Sequence, residues 1–213
     1  YLNSLGARLL AAAPGARQEF EFFAVRDPAV NAFAFPGGYI GVHTALLTLS
    51  DTESEVASVL AHEIAHVTQR HIARQIGLQK QMQVPMMAAM VAAILLGRSR
   101  PDLAQGAMVG AQGSAIQSSL GYSRDFEREA DRIGLQLLDK AGFDPQGMAL
   151  FFERLQRATR LVEGGAPSYL RSHPLTYERI ADMQGRAANL PYKQVADPIE
   201  FHLVRARLRA ELE

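Results

Sequence analysis

Residues 50–67 read Ser50-Asp51-Thr52-Glu53-Ser54-Glu55-Val56-Ala57-Ser58-Val59-Leu60-Ala61-His62-Glu63-Ile64-Ala65-His66-Val67, and the rest of the chain is best read outward from them. The stretch opens on a dense helix-start signal, because Ser50/Glu53 and Thr52/Glu55 both have capping-box spacing. Val56, Val59, Leu60, Ile64 and Val67 continue a helical pattern, and no Gly or Pro follows until Gly77. That predicts one long central helix running through Ile76. Residues at i and i+4 stand one above the other on a helix, so His62 and His66 present two imidazoles from one face. Two imidazoles so placed supply half of a tetrahedral zinc site. Glu63 beside them suits a general base that takes a proton from an attacking water, a role Lys or Gln could not fill. The apolar neighbours predict that both histidines are partly buried, and buried paired histidines want a partner. The same five-residue pattern also arises by chance, so further ligands have to be found.

Composition limits what those can be. The chain has 213 residues, room for one sizeable domain or two small ones. Lys plus Arg equals Asp plus Glu at 22 each, which gives no electrostatic reason to expect nucleic acid or an anionic surface as partner. There is no cysteine, so a metal must rest on His, Asp and Glu. The most apolar run, Val84 to Gly97, is shorter than the roughly 20 residues of a spanning helix. It reads as a buried or interfacial helix, not a transmembrane one. Met82, Met86, Met87 and Met90 there suit either core packing or an adaptable apolar surface touching membrane or client protein.

Around the central stretch, residues 1–13 predict a short helix ended at Pro14-Gly15. Glu19 to Val25, Val30 to Phe35 and Tyr39 to Val42 read as strands, with Pro36-Gly37-Gly38 as a hairpin turn in a small antiparallel sheet. Pro36 favours the end of an edge strand. Residues 97–121 scatter Gly97, Gly106, Gly110, Gly113 and Gly121 among Ser, Gln and Ala, predicting a mobile loop or weak helix. Helices follow over Arg124–Ala141, Gln146–Leu161 and Pro174–Ala188, the first two separated by Gly142 and Asp144-Pro145 and the last two by a loop at Gly164-Gly165-Ala166-Pro167. The class is α+β and mostly helical, with the domain over residues 1–190. The remainder, 191–213, is a tail that ends in a basic, amphipathic segment, His202 to Leu212.

A third ligand should come from a separate helix. Ser123-Arg124-Asp125-Phe126-Glu127-Arg128-Glu129-Ala130-Asp131 offers four acids. Glu127 and Asp131 are spaced i,i+4 and share a face, while Glu129 points away. Glu127 is assigned as ligand and Asp131 as acceptor for the non-metal nitrogen of a metal-bound histidine. A solvated acidic helix face is the commoner origin of such a run. His43, His71 and His202 are read as non-ligands.

Ser-Arg-x-x-Glu-x-x-Ala-Asp downstream of His-Glu-x-x-His resembles the membrane-linked zinc metallopeptidase family that includes HtpX, the mitochondrial Oma-type protease and the CAAX prenyl protease. Asn31-Ala32-Phe33 before Pro36-Gly37-Gly38 is similar to the family's substrate strand. Ser172-His173-Pro174-Leu175-Thr176-Tyr177-Glu178-Arg179 is similar to its His-Pro-x-x-x-x-Arg element. The likeness runs in family order over about residues 30–185 and is nearest to the soluble periplasmic branch concerned with β-barrel assembly. It implies a zincin-like (gluzincin) fold, one Zn²⁺ per chain, and Glu127 as zinc ligand. It also implies that the histidine of the His-Pro element, His173, can take the fourth zinc position and silence the site. The competing role for His173 is capping the helix that starts near Pro174. That branch carries a tetratricopeptide array, to which residues 191–213 would be the linker.

The expected chemistry is peptide hydrolysis with Glu63 as base and His173 and Arg179 as oxyanion donors. Strand residues Asn31, Ala32, Phe33, Ala34 and Phe35 would bind an extended peptide along an exposed edge. The alternative for this strand is core, with Phe33 and Phe35 buried. By the resemblance, the clients are unfolded or misassembled envelope proteins and the place is the periplasm, with the outer-membrane assembly machinery and a peripheral membrane contact as further partners. The competing function is a chaperone-like assembly factor with a silenced zinc site.

Overall fold

The computed structural model describes residues 1–13, 15–16, 18–96, 100–161 and 167–211, with the backbone alone at 96, 107, 114–122 and 160–161. Pro14, Gly97 and the Gly164-Gly165-Ala166 loop read from the sequence lie outside the described residues. The chain divides into two compact units, Tyr1–Gln69 with Glu127–Glu213, and Arg70–Phe126.

The first unit opens with helix α1 (Leu2–Ala11) and a sheet of β1 (Glu21–Val25), β2 (Ala32–Phe35) and β3 (Tyr39–His43). The spatial order is β1-β3-β2. Strands β2 and β3 form the expected hairpin, with Phe33 opposite Gly41. The turn works because Gly37 and Gly38 take φ of 99° and 92°, a region closed to most side chains. The sheet is not wholly antiparallel, however: β1 pairs parallel to β3, Phe22 opposite Ile40. The connection after β1 carries the chain past the β3 position to its far side before the tight turn returns it, so β3 runs in the direction of β1. Ile40 and Val42 of β3 are fully buried. Strand β2 sits at the edge, and Phe35 on it is 54% exposed, against the all-core alternative.

Helix α2 (Thr44–Leu49) leads into α3 (Glu53–Thr68), whose residues from Glu53 to Ala65 are all buried. Of the two candidate caps, Thr52 is the one used, its Oγ1 accepting from the Glu55 N–H at 3.2 Å. The single helix expected to reach Ile76 ends at Thr68. Arg70 takes a left-handed φ of 55°, which breaks the hydrogen-bond ladder, and α4 (His71–Leu96) begins afresh.

Of the mobile loop or weak helix expected over residues 97–121, the structure has helix from Pro101 on, in α5 (Pro101–Lys140), which also absorbs the helix expected from Arg124. Each glycine costs about 1 kcal/mol relative to alanine, but no proline interrupts the stretch, and Pro101 stands at the first helical position, where it is tolerated. Helix α6 (Gln146–Leu161) is as read; a short α7 (Ser168–Ser172) was not. Helix α8 (Tyr177–Ala188) starts three residues after Pro174, because the Thr176 side chain caps it by accepting from the Arg179 N–H. The tail carries α9 (Ile199–Ala210), whose Phe201 is buried in the core and whose Arg205 donates to the carbonyls of Asp51 and Thr48. The first unit's core gathers Leu5 and Leu9 of α1, Ile40, Leu60 and Ile64 of α3, Leu138 of α5 and Phe151 of α6.

The second unit consists of α4 and the first part of α5. His71 stacks on Phe126 at 4.8 Å, with the Arg74 guanidinium over the same ring. Met82, Met86, Met87 and Met90 face Met108 across a groove of about 370 Å³. Val84, Met87, Val91, Ile94 and Leu95 are each more than half exposed, so the apolar run is a surface, not core. Among the described residues no helix is long and apolar enough to cross a membrane.

Candidate metal and catalytic site

Helix α3 is held as a fixed platform before its histidines do anything. Its first turn buries Glu53 and Glu55, which are neutralised from neighbouring helices: Arg8 bonds Glu53 at 2.8 Å and Arg154 bonds Glu55 through two nitrogens. The C-terminal half of α5 then crosses close to the motif. A Cβ built at Gly134 would lie 3.1 Å from the His62 backbone nitrogen, tighter than ordinary packing, so the absence of a side chain lets the two backbones approach. Asp131 and Glu127, about one and two turns earlier on α5, thereby come level with the imidazoles.

Four side chains converge: His62, His66, Glu127 and His173. His62 Nε2 is 2.9 Å from His66 Nε2, 3.3 Å from His173 Nδ1 and 3.4 Å from Glu127 Oε2. Glu127 Oε1 is 3.3 Å from His66 Nε2 and 3.1 Å from His173 Nδ1. Zinc bonds of about 2.0–2.1 Å in tetrahedral array put donor atoms about 3.3 Å apart. The observed spacing therefore fits one small cation. A neutral imidazole has one ring nitrogen without hydrogen. His62 Nδ1 lies 3.0 Å from Asp131 Oδ1, which fixes the hydrogen on that side and turns the Nε2 lone pair toward the cluster.

The charges agree. Burial opposes protonation of His62, but contacts with Asp131 and Glu127 outweigh it and push its pKa up to about 10. Burial likewise works against ionised Glu127, yet hydrogen bonds from His173, His62 and His66 hold its carboxyl far below the usual range. Asp131 is depressed too, against burial, by His62 and Arg179. These carboxylates favour positive charge at His62, whereas burial draws the His66 imidazole below its ordinary pKa.

Arg179 does not stand free to meet an oxyanion. Its Nε and Nη2 clasp Asp131 at 2.7 and 2.8 Å, and its Nη1 meets Glu127 at 3.0 Å and the Pro174 carbonyl at 2.7 Å. It orients both carboxylates and the His-Pro turn. Glu63 is 1% exposed, and its Oε1 lacks a hydrogen-bond donor, with His173 Nε2 3.4 Å away. An orphaned buried carboxylate oxygen beside a ligand cluster is placed to accept a proton. His173 is the residue after α7, not the cap of α8. His43 instead bonds the Ala29 carbonyl at 3.0 Å, and neither it nor His71 joins the cluster.

Sequence reading found every member of the cluster but missed what shapes it. Gly134 gave a usable signal, an isolated glycine inside a strong helical pattern. Tyr169 gave none: its ring is 1% exposed and stacks on His173 at 4.6 Å.

Residues 1–187 match the family model described as Peptidase family M48. The chain belongs to peptidase family M48. Among M48 relatives, it is 42% identical over 210 residues to a Vibrio cholerae protein named putative beta-barrel assembly-enhancing protease, covering 99% of this chain and 43% of that one. It is 40% identical over 207 residues to the Beta-barrel assembly-enhancing protease of Escherichia coli K12, covering 97% of this chain and 42% of the relative. It is 30% identical over 184 residues to the Mitochondrial metalloendopeptidase OMA1 of Schizosaccharomyces pombe, covering 86% and 51%. The chain thus spans less than half the length of the two bacterial relatives. M48 membership implies a bound metal, usually zinc, and the His62, His66, Glu127 and His173 group is able to hold one.

Proposed function

We propose that the chain is a zinc-dependent endopeptidase domain acting on unfolded or misassembled proteins of the bacterial envelope, held latent by His173. The observation that carries this reading is the convergence of His62, His66 and Glu127 beside Glu63, whose buried Oε1 accepts no hydrogen bond, in an M48 chain. His62, His66 and Glu127 would hold one Zn²⁺, with Asp131 orienting His62 and Arg179 orienting Asp131 and Glu127. The zinc ion supplies Lewis-acid polarisation of the scissile carbonyl and acidifies water. Glu63 takes the proton from the attacking water and delivers it to the leaving amine. His173 would occupy the fourth ligand position through Nδ1, with its Nε2 beside Glu63, so both the open site and the base are covered until it moves.

The edge strand β2, with Asn31 leading into it, is the peptide platform. Its unpaired edge recognises main chain, which tolerates many side chains and suits unfolded clients. The names of the two bacterial relatives support a periplasmic role beside the outer-membrane assembly machinery. The exposed apolar face of residues 84–95, followed in sequence by Arg98 and Arg100, supports a peripheral contact with a lipid surface, where arginine meets phosphate.

Casein cleavage by the zinc-loaded chain and by its His173→Ala variant tests the reading. Cleavage should rise at least about 10-fold on removal of His173, and Glu63→Gln should lower it by about 10²–10⁴ while keeping zinc. If neither wild type nor His173→Ala cleaves while zinc is bound, the chain is instead a binding or assembly factor with a silenced site.

A further inference from the structure

We propose that Tyr169 is the positioning residue that holds His173 at the fourth metal position. The inference rests on the reading of His173 as a ligand and adds what keeps it there. His173 follows a helix of five residues, Ser168–Ser172, and precedes an extended Pro174–Thr176 turn. So short a helix does not fix a side chain by itself. Apart from the cluster's own contacts with His62, His66, Glu127 and Glu63, His173 is held by Tyr169. Its ring stacks on the His173 imidazole at 4.6 Å and 27°. Its opposite surroundings are set by Phe151 of α6, which meets it edge-on at 6.3 Å. The His173 N–H donates to the Tyr169 carbonyl at 2.8 Å, and the Tyr169 N–H donates to the Val30 carbonyl at 3.0 Å.

These contacts leave the imidazole one plane. In that plane Nδ1 reaches both Glu127 oxygens at 3.1 and 3.2 Å and His62 Nε2 at 3.3 Å. Rotation about the His173 side chain would break the stack and withdraw Nδ1 together. Val30 adjoins Asn31, whose carbonyl accepts from the His43 N–H at 2.9 Å. The position of His173 is therefore anchored to the start of strand β2, not only to its own helix.

The test uses the chain loaded with Co²⁺ in place of zinc, whose visible absorption reports the ligand set. His173→Ala sets the reference for loss of the fourth ligand. Tyr169→Ala should give the His173→Ala spectrum, with His173 still present. Tyr169→Phe, which keeps the ring and the main-chain bonds, should give the wild-type spectrum. Metal loss to a chelator should accelerate on the order of 10-fold in Tyr169→Ala and not in Tyr169→Phe. Should Tyr169→Ala fail to take up one Co²⁺ as a folded chain, Tyr169→Leu carries the test, since it fills most of the space without an aromatic face; its spectrum should move toward that of His173→Ala. A wild-type spectrum and wild-type metal loss in Tyr169→Ala or Tyr169→Leu, with His173→Ala shifted, overturns the role of Tyr169 while leaving His173 a ligand. An unshifted His173→Ala spectrum instead removes His173 as a ligand, and the proposal with it.

Discussion

One helix, α5, carries two chemistries. Between Asp102 and Arg124 it has no charged residue, and Leu103 and Val109 on it are exposed. From Arg124 to Arg132 it is mostly charged, yet Glu127 and Asp131 are 4% and 1% exposed. The usual rule of apolar inside and charged outside fails at Leu103 and Val109 in the first half and at Glu127 and Asp131 in the second, where Phe126, Ala130 and Leu138 are buried in the ordinary way. The buried acids are affordable because each has named partners: His62, His66, His173 and Arg179 for Glu127, His62 and Arg179 for Asp131. Among the described side chains of the apolar half, Leu103 and Val109 are exposed and Ala104 is buried.

The sharpest way to break the comparison is on the charged side. Arg179→Ala leaves Asp131 and Glu127 buried without their guanidinium, and should destabilise the chain by about 3–5 kcal/mol in urea unfolding. A loss below about 1 kcal/mol would mean that these acids are paired by something other than Arg179. On the apolar side the expected effect is small. Ile94→Asp and Leu95→Asp, at positions 71% and 74% exposed, should change stability by no more than about 0.5 kcal/mol. They should also lower recovery of the chain with phosphatidylglycerol vesicles in flotation. A cost above about 2 kcal/mol would make these residues core and remove the contact surface.

What was legible in the sequence follows the same division. The helical positions of His62, His66, Glu127 and Asp131 were readable because i,i+4 spacing fixes a face regardless of the surroundings. The α3 cap was readable for a similar reason, since Thr52 and Glu55 are local partners. The parallel pairing of β1 with β3 was not, because strand order depends on which side of the sheet a connection passes. The break at Arg70 was invisible, as arginine gives no sign that it will take a left-handed conformation. Over residues 101–121 loop and weak helix stayed open, because glycine content argues against helix without forbidding it. Arg179 was recognised as part of the site but given the wrong partner. Its distance from Asp131 in sequence hides that the two side chains interlock, and an arginine so engaged aims other groups and is not free to meet substrate.

The account turns on one cation held by His62, His66 and Glu127. Its most direct test is the zinc content of the purified chain, measured by mass spectrometry of the metal beside His62→Ala and Glu127→Ala. The expected result is about one zinc per wild-type chain, with each variant losing most of it to a mild chelator while the far-ultraviolet helical signal persists. A wild-type chain that takes up no zinc, or variants that keep it as tightly as wild type, would contradict it.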